Sequence, residues 1–445
     1  MAEEIFEQVL AAARSQGVTE IEAIVSGGED ALTRFANNAI HQNVAERTRH
    51  LSVRAQVDGR TARATTNRLD DAGIGAVVEQ AIAIARLTEP DPELLPLVAP
   101  GPEGSPLPPM RRTGGSTTAG ATDRAQAVAE AIRIVESHGQ TAAGIYSSGI
   151  SHFTILNSRG VSASHSETMA RFSITAMAAD SSGWAKASAV DLADLDPVAL
   201  ARSAAAKAAA SAHPRELPAG RYTVILEPAA VLDLVGQMFG DFSATAIRDD
   251  RSFLTGRIGK KIFGDNITIY DDWAHALQAG PPFDGEGVPR QRLTLVESGV
   301  VRQVAYSRQA AALAGVKPTG HGFPLPNEYG EAPVNIVIAG GGVPLERMIA
   351  QTARGILVTR LWYIREVDPY AKIFTGMTRD GTFLVEDGRM VCGVRNFRFN
   401  QSLIEMLSNV EALSEPVRAA GEETFDMVVP AMKVRNFNFT EVTRF

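Results

Sequence analysis

Near its C-terminus the chain spells almost the same six residues twice, Val394-Arg395-Asn396-Phe397-Arg398-Phe399 and Val434-Arg435-Asn436-Phe437-Asn438-Phe439. Phenylalanine alternating with a polar residue has a period of two. Only a strand puts that pattern on one buried face, because successive side chains point to opposite sides of the backbone. Both segments are read as strands with similar patterning, not as a repeat architecture. The sequence from Arg221 onward has the same character, with short strand-like runs, frequent glycine turns and one obvious helix over 345–353. A strand over 222–226 and a helix over 228–239, started by Pro228, open this half.

The first half mixes periods. Ile5, Phe6, Val9, Leu10 and Ala13 recur at helical spacing, and Gly17 can take the left-handed stop. Strands are expected over 21–25, 31–42 and 50–66, the last reversing at Asp58-Gly59, followed by a helix over 69–87. Pro90, Pro92, Pro96, Pro100, Pro102, Pro106, Pro108 and Pro109 forbid a helix or central strand, so 90–109 reads as an extended, exposed connector. Thr122 is placed as the cap of a helix running to Ser137. Strands resume over 143–146 and 152–156, turn at Asn157-Ser158-Arg159-Gly160, and continue over 168–179. Pro197 opens a last helix through the alanine-rich run to Ala212. At 445 residues the chain exceeds what one core usually serves. The expected fold is α+β, with an N-terminal α/β domain over 1–215 and a β-rich C-terminal domain of mostly antiparallel strands over 216–445.

Composition narrows the function. A net charge of -8 argues against nucleic acid, whose phosphates are met by Lys and Arg, and Arg365, Lys372, Arg379 and Arg389 read as a solvated face. No apolar run approaches the ~20 residues of a membrane span, and Met1-Ala2-Glu3-Glu4-Ile5 is acidic where a signal peptide is basic. A cytoplasmic protein is expected, with no membrane partner. The single cysteine, Cys392, excludes an internal disulfide and a Cys-pair zinc site, and reads as a small half-buried strand residue.

Catalytic signatures are scarce. Among His41, His50, His138, His152, His165, His213, His275 and His321 no two lie three to five positions apart, so no single helix offers a histidine pair to a metal. Tyr146-Ser147-Ser148-Gly149 lacks the spacing of a nucleophile elbow. Gly340-Gly341-Gly342 lacks both the Walker lysine and the dinucleotide spacing. The densest polar stretch runs from Arg248 to Asp272, and a second covers Thr359 to Arg365 and then Thr375 to Gly381. Their mixture of Arg, Asp, aromatics and glycine suits loops that hold a peptide or a partner chain. The candidate contact residues are Arg251, Arg257, Asp271, Asp272, Arg360, Trp362 and Arg379.

On these residues the chain resembles the TldD/PmbA family, a metalloprotease-related group also known as modulators of DNA gyrase. The matching segments are Thr33-Arg34-Phe35-Ala36-Asn37-Asn38, Ile40-His41-Gln42, Asn157-Ser158-Arg159-Gly160, the stretch from Ser252 to Lys261 with Gly256-Arg257-Ile258-Gly259, Asp271-Asp272, and the stretch from Thr375 to Gly381. They follow family order along nearly the whole chain. The resemblance implies a dimer enclosing a cavity, and in the TldD branch a zinc site built from HExxxH on a helix and a cysteine near the C-terminus. The corresponding helix here, 227–240, carries no histidine, and 419–427 carries no cysteine. The resemblance therefore points to the TldE/PmbA branch: a non-catalytic subunit with no catalytic, metal-ligating or cofactor-binding residue of its own. Its expected partners are a zinc-bearing, HExxxH-containing TldD-like subunit and an unfolded or modified peptide substrate. The alternative is a homodimeric peptide-binding or regulatory protein without proteolytic activity.

Overall fold

The computed structural model describes residues 2–101, 110–112 and 119–443. Its first sheet turns on two asparagines. Asn37 and Asn38 have φ of 51° and 59°, which short polar side chains tolerate and which a two-residue hairpin with strand-matched twist requires. The single strand expected over 31–42 is therefore the end of Glu20–Ala36 and the start of Ala39–Val57. The strands expected over 143–146 and 152–156 are likewise one, Thr141–Asn157. The seven-stranded sheet runs in the order Arg60–Thr66, Ala39–Val57, Glu20–Ala36, Thr141–Asn157, Ser162–Met177, with Met110–Arg112 and Ser182–Ala189 both pairing to the last.

Four helices cover one face. Ala2–Ser15 and Asp71–Leu87 bury Val9, Ala13, Val78 and Ala81 against Ile21, Ala23, Leu51 and Val53. Ala121–Glu136 and Pro197–Ala210 bury Val128, Val135, Ala204 and Ala208 against Phe35, Tyr146 and Phe172. The helix placed under a Thr122 cap starts two residues earlier, at Ala121 after the cap residue Gly120, whose amide donates to Asp123 at 3.1 Å. On the opposite face Ile24, Ile155 and Ala163 meet Phe283 of the C-terminal half. In the connector, Leu97 and Val98 are buried where exposure was expected, while 102–109 lies outside the described residues.

The twin Phe segments lie side by side. Phe397–Ser402 pairs antiparallel with Met432–Val442, Phe399 opposite Phe439, and all four Phe rings are buried, Phe397 and Phe439 4.5 Å apart. Ladders join Arg354–Asp368, Gly220–Leu226, Met432–Val442, Phe397–Ser402 and Ile373–Glu386, and the last pairs back to the first. This closed ring leaves those five strands no open edge. A six-stranded sheet containing Ile269–Asp271, Ile336–Ile338 and Met427–Val429 packs beside it. The helix expected over 228–239 is α-helical over Pro228–Val235 and tightens to a 3-10 helix over Gly236–Phe242. Among the described residues no helix is long and apolar enough to cross a membrane.

Candidate functional site

The helix Pro228–Val235 is apolar all round except at one position. Ala230, Val231, Leu232, Leu234 and Val235 are buried, and between them Asp233 is 0% exposed. A buried carboxylate needs partners, and the loop over 420–426 supplies them. Asp233 Oδ1 accepts the backbone amides of Glu422 and Glu423, each at 3.0 Å. Oδ2 has no hydrogen-bond partner. Burial pushes the carboxyl up to about 6, against the opposing pull of the two amides and Arg360.

Two glycines permit this approach. A Cβ on Gly421 would stand 2.1 Å from Asp233 Oδ1, and one on Gly236 would stand 2.5 Å from Thr424 Oγ1. The Thr424 hydroxyl donates to the Leu232 carbonyl at 3.2 Å. The helix over 227–240 and the segment over 419–427, singled out from the sequence for what they lack, thus touch each other.

The same loop reaches two other elements. Lys186, on the edge strand Ser182–Ala189, donates to the Gly421 carbonyl at 2.5 Å and to Glu422 at 3.2 Å. Glu423 accepts the Tyr363 amide at 2.8 Å, at a bulge where Tyr363 has φ of 56°. Beside it Arg360, 6% exposed, donates through Nε to Asp380 at 2.9 Å, and the Ser182 hydroxyl donates to the other oxygen of Asp380 at 2.6 Å. The Arg360 guanidinium lies 4.9 Å from the Trp184 ring and 5.5 Å from that of Trp362, which Arg379 covers at 5.0 Å. Arg360 and Trp184 are buried beneath this stack, which leaves the half-buried Trp362 ring and the exposed Arg379 facing outward.

Of the seven candidate contact residues, Arg360, Trp362 and Arg379 therefore converge, and the other four lie elsewhere. Asp271 is fully buried. It accepts the amides of Val334 and Asn335 at 2.7 and 2.9 Å, and His321 Nε2 lies 3.2 Å from Oδ1. Burial pushes its carboxyl up, and His321, Arg290 and the Asn335 amide outweigh that and hold it low. Asp272 pairs with Arg292 at 3.0 Å. Arg251 pairs with Asp249 at 3.1 Å and lines a cleft of about 480 Å³ with Lys372 and Glu331. Arg257 sits half-buried in the neighbouring turn. Sequence reasoning gave no role to Asp233, Lys186, Glu422 or Glu423. A lone acid inside an aliphatic helical run was the available signal for the first.

Three family models account for most of the chain: the PmbA/TldA metallopeptidase C-terminal domain over 219–441, domain 1 over 21–85 and the central domain over 115–212. The chain belongs to the TldD/PmbA family. Metalloprotease PmbA of Escherichia coli O157:H7 is 24% identical over 401 residues, spanning 86% of this chain and 85% of that one. TldE from Thermococcus kodakarensis shares the fold with a TM-score of 0.86 at 22% identity, over 98% of this chain and 100% of its own. A protein from Thermotoga maritima described as a DNA gyrase modulator superposes with a TM-score of 0.85 at 20% identity, over 99% and 100% of the two chains.

The metallopeptidase family description implies a metal ion, and zinc, the ion expected from the resemblance, asks for about four N, S or O donors at ~2.0–2.3 Å. Where the helix meets the loop, this chain offers one buried carboxylate, half of it already engaged by amides. Among the described residues no three His, Cys, Asp or Glu side chains form a group that could hold a metal ion. Among the described residues the donor set does not fit zinc.

Proposed function

We propose that this TldD/PmbA chain is the TldE-like, non-catalytic subunit of a two-chain cytoplasmic zinc peptidase acting on unfolded or modified peptides. The partner is a TldD-like chain bearing HExxxH, which brings the metal and the base. This chain closes the chamber and holds the peptide in extended form against Trp362 and Arg379, which Arg360 supports from beneath. The observation carrying the reading is Asp233: at the helix–loop junction a single carboxylate binds main-chain amides, and no imidazole or thiolate stands near it in the helix or the loop.

The test is to purify the chain alone and together with an HExxxH-bearing homologue from the same genome. Zinc content and hydrolysis of a denatured protein are then measured in each. Stoichiometric zinc and chelator-sensitive cleavage are expected only in the complex. The same two properties in the isolated chain would overturn the proposal. Peptide binding by the isolated chain, with no complex formed, would favour the homodimeric binding protein instead.

A further inference from the structure

A second polar site lies where the two halves meet, apart from Asp233. A cleft of about 240 Å³ is lined by Phe153, His165, Phe283, Arg290 and Phe323, among others. The Phe153 and Phe283 rings are 5.9 Å apart and form an aromatic wall. The His165 side chain is 3% exposed, with Nε2 3.0 Å from Glu167 Oε2. When Nε2–H is donated to that carboxylate, a neutral ring keeps Nδ1 as an acceptor. Nδ1 is buried without a partner, and so are Nε and Nη1 of Arg290. An unmade buried hydrogen bond is costly, and the two residues that carry these three atoms line the same cleft, so the cleft calls for an occupant.

Charge selects the occupant. Asp271 and Asp284 both act on the Arg290 guanidinium, and Glu167 stands beside His165. An anionic ligand would add to negative charge that already answers the arginine. A cation would face the guanidinium itself. A neutral group carrying both a carbonyl oxygen and an N–H satisfies the set, the oxygen accepting from Arg290 and the N–H donating to His165 Nδ1. A primary carboxamide has that pattern, and the ring-lined wall suits a flat or apolar body behind it. The cleft is smaller than the ~300–1,000 Å³ of pockets that take a whole drug-sized ligand, so it suits one ring or one side chain.

We propose that this cleft binds a carboxamide group. In the peptide-holding role above, on which this clause rests, it takes an asparagine or glutamine side chain of the bound polypeptide.

Ligand-observed saturation-transfer NMR on the purified full chain tests this with benzamide, benzoate and benzylamine. Benzamide is expected to bind about tenfold more tightly than either charged analogue, the difference made by roughly one well-placed hydrogen bond. His165→Phe removes the acceptor and keeps a ring. Ser151→Trp fills the cleft from an exposed lining position without touching the buried nitrogens. Each variant, with its thermal midpoint kept, is expected to weaken benzamide by about tenfold. No benzamide binding, equal or tighter benzoate binding, or benzamide binding unchanged in both variants overturns the proposal and leaves ordered water as the occupant. Competition by a glutamine-containing peptide, and not by its glutamate counterpart, supports capture of a peptide side chain in the cleft. Benzamide binding without that competition overturns side-chain capture and not carboxamide binding, while the zinc measurements on the complex decide the non-catalytic role separately.

Discussion

Asp233 holds a carboxyl where ionisation is costly, and this has a signed consequence for stability. In the folded chain burial pushes it up to about 6, whereas an unfolded aspartate titrates near ~3.9. The folded state binds the proton more tightly. The carboxyl therefore contributes stability that is fully present below ~4 and is lost as pH rises through about 6, by roughly 3 kcal/mol in all. Asp233→Asn keeps an oxygen for the Glu422 and Glu423 amides and removes the titration. Thermal denaturation across pH is expected to show the variant gaining on the parent between about pH 4 and about pH 6, then running parallel. A difference that stays flat across that window would mean the group does not titrate there. The sequence made the helix legible and not this residue's role. Pro228 and the aliphatic run announce a buried helix, but what Asp233 meets is a pair of main-chain amides, and main-chain groups carry no signature in a sequence.

Among elements, the ring of five strands makes the largest local demand on packing. Phe399 sits inside it opposite Phe439, and the ring edge is fitted so closely that a Cβ on Gly376 would stand 2.6 Å from Phe399 Cζ. Deleting a buried aromatic costs its transfer free energy plus that of the cavity left behind. Phe399→Ala is expected to destabilise the chain by ~3–5 kcal/mol, and Phe399→Leu by clearly less, read as shifts in the urea midpoint. Equal midpoints for alanine and leucine would mean that the ring interior is not tightly packed. Alternating Phe and polar residues made these strands legible, since period two reports a buried face directly. Length was less legible. Glu20–Ala36 and Thr141–Asn157 continue through glycines and serines at Gly27, Gly28, Ser147, Ser148 and Gly149, where pattern alone suggests a break. Close neighbours explain the glycines: a Cβ on Gly27 would stand 2.3 Å from the Thr48 carbonyl oxygen. Short helices such as Ala244–Arg248, Arg308–Ala314 and Leu403–Ser408 span too few residues for a helical period to declare itself.

Across the whole molecule, the α+β reading agrees with the structure, whereas the contact between its halves joins residues hundreds of positions apart and has no local signal. Ser182 reaches Asp380, and Lys186 reaches Glu422. Arg418 ties several parts together. Its Nε donates to Ser188 at 3.1 Å, 230 positions away, its Nη1 to the Leu277 carbonyl at 3.0 Å, and its Nη2 stands 3.3 Å from Asp426, which also meets Arg171. Burial lowers the Arg418 pKa and Asp426 opposes that, as expected for a guanidinium 9% exposed and paired. Truncating one member of such a pair leaves an uncompensated buried charge and orphaned acceptors, a loss of ~3–5 kcal/mol. Because the bonds of Arg418 run between the first sheet and the strands carrying the 420–426 loop, Arg418→Ala should loosen the halves before it unfolds either. Limited proteolysis is the appropriate measurement, since cleavage follows local opening. The variant is expected to be cut faster in the segment over 213–219 between the helix Pro197–Ala210 and the strand Gly220–Leu226, at unchanged secondary-structure content. If the proposed TldD-like partner docks on this side, the variant should also bind it more weakly, because the loop that Lys186 and Asp233 hold would no longer be fixed from the side of the first sheet. Cleavage at the parental rate, with partner affinity intact, would show that the two halves stay docked without Arg418, through contacts such as Arg63 with the Leu325 carbonyl and Lys207 with Glu227.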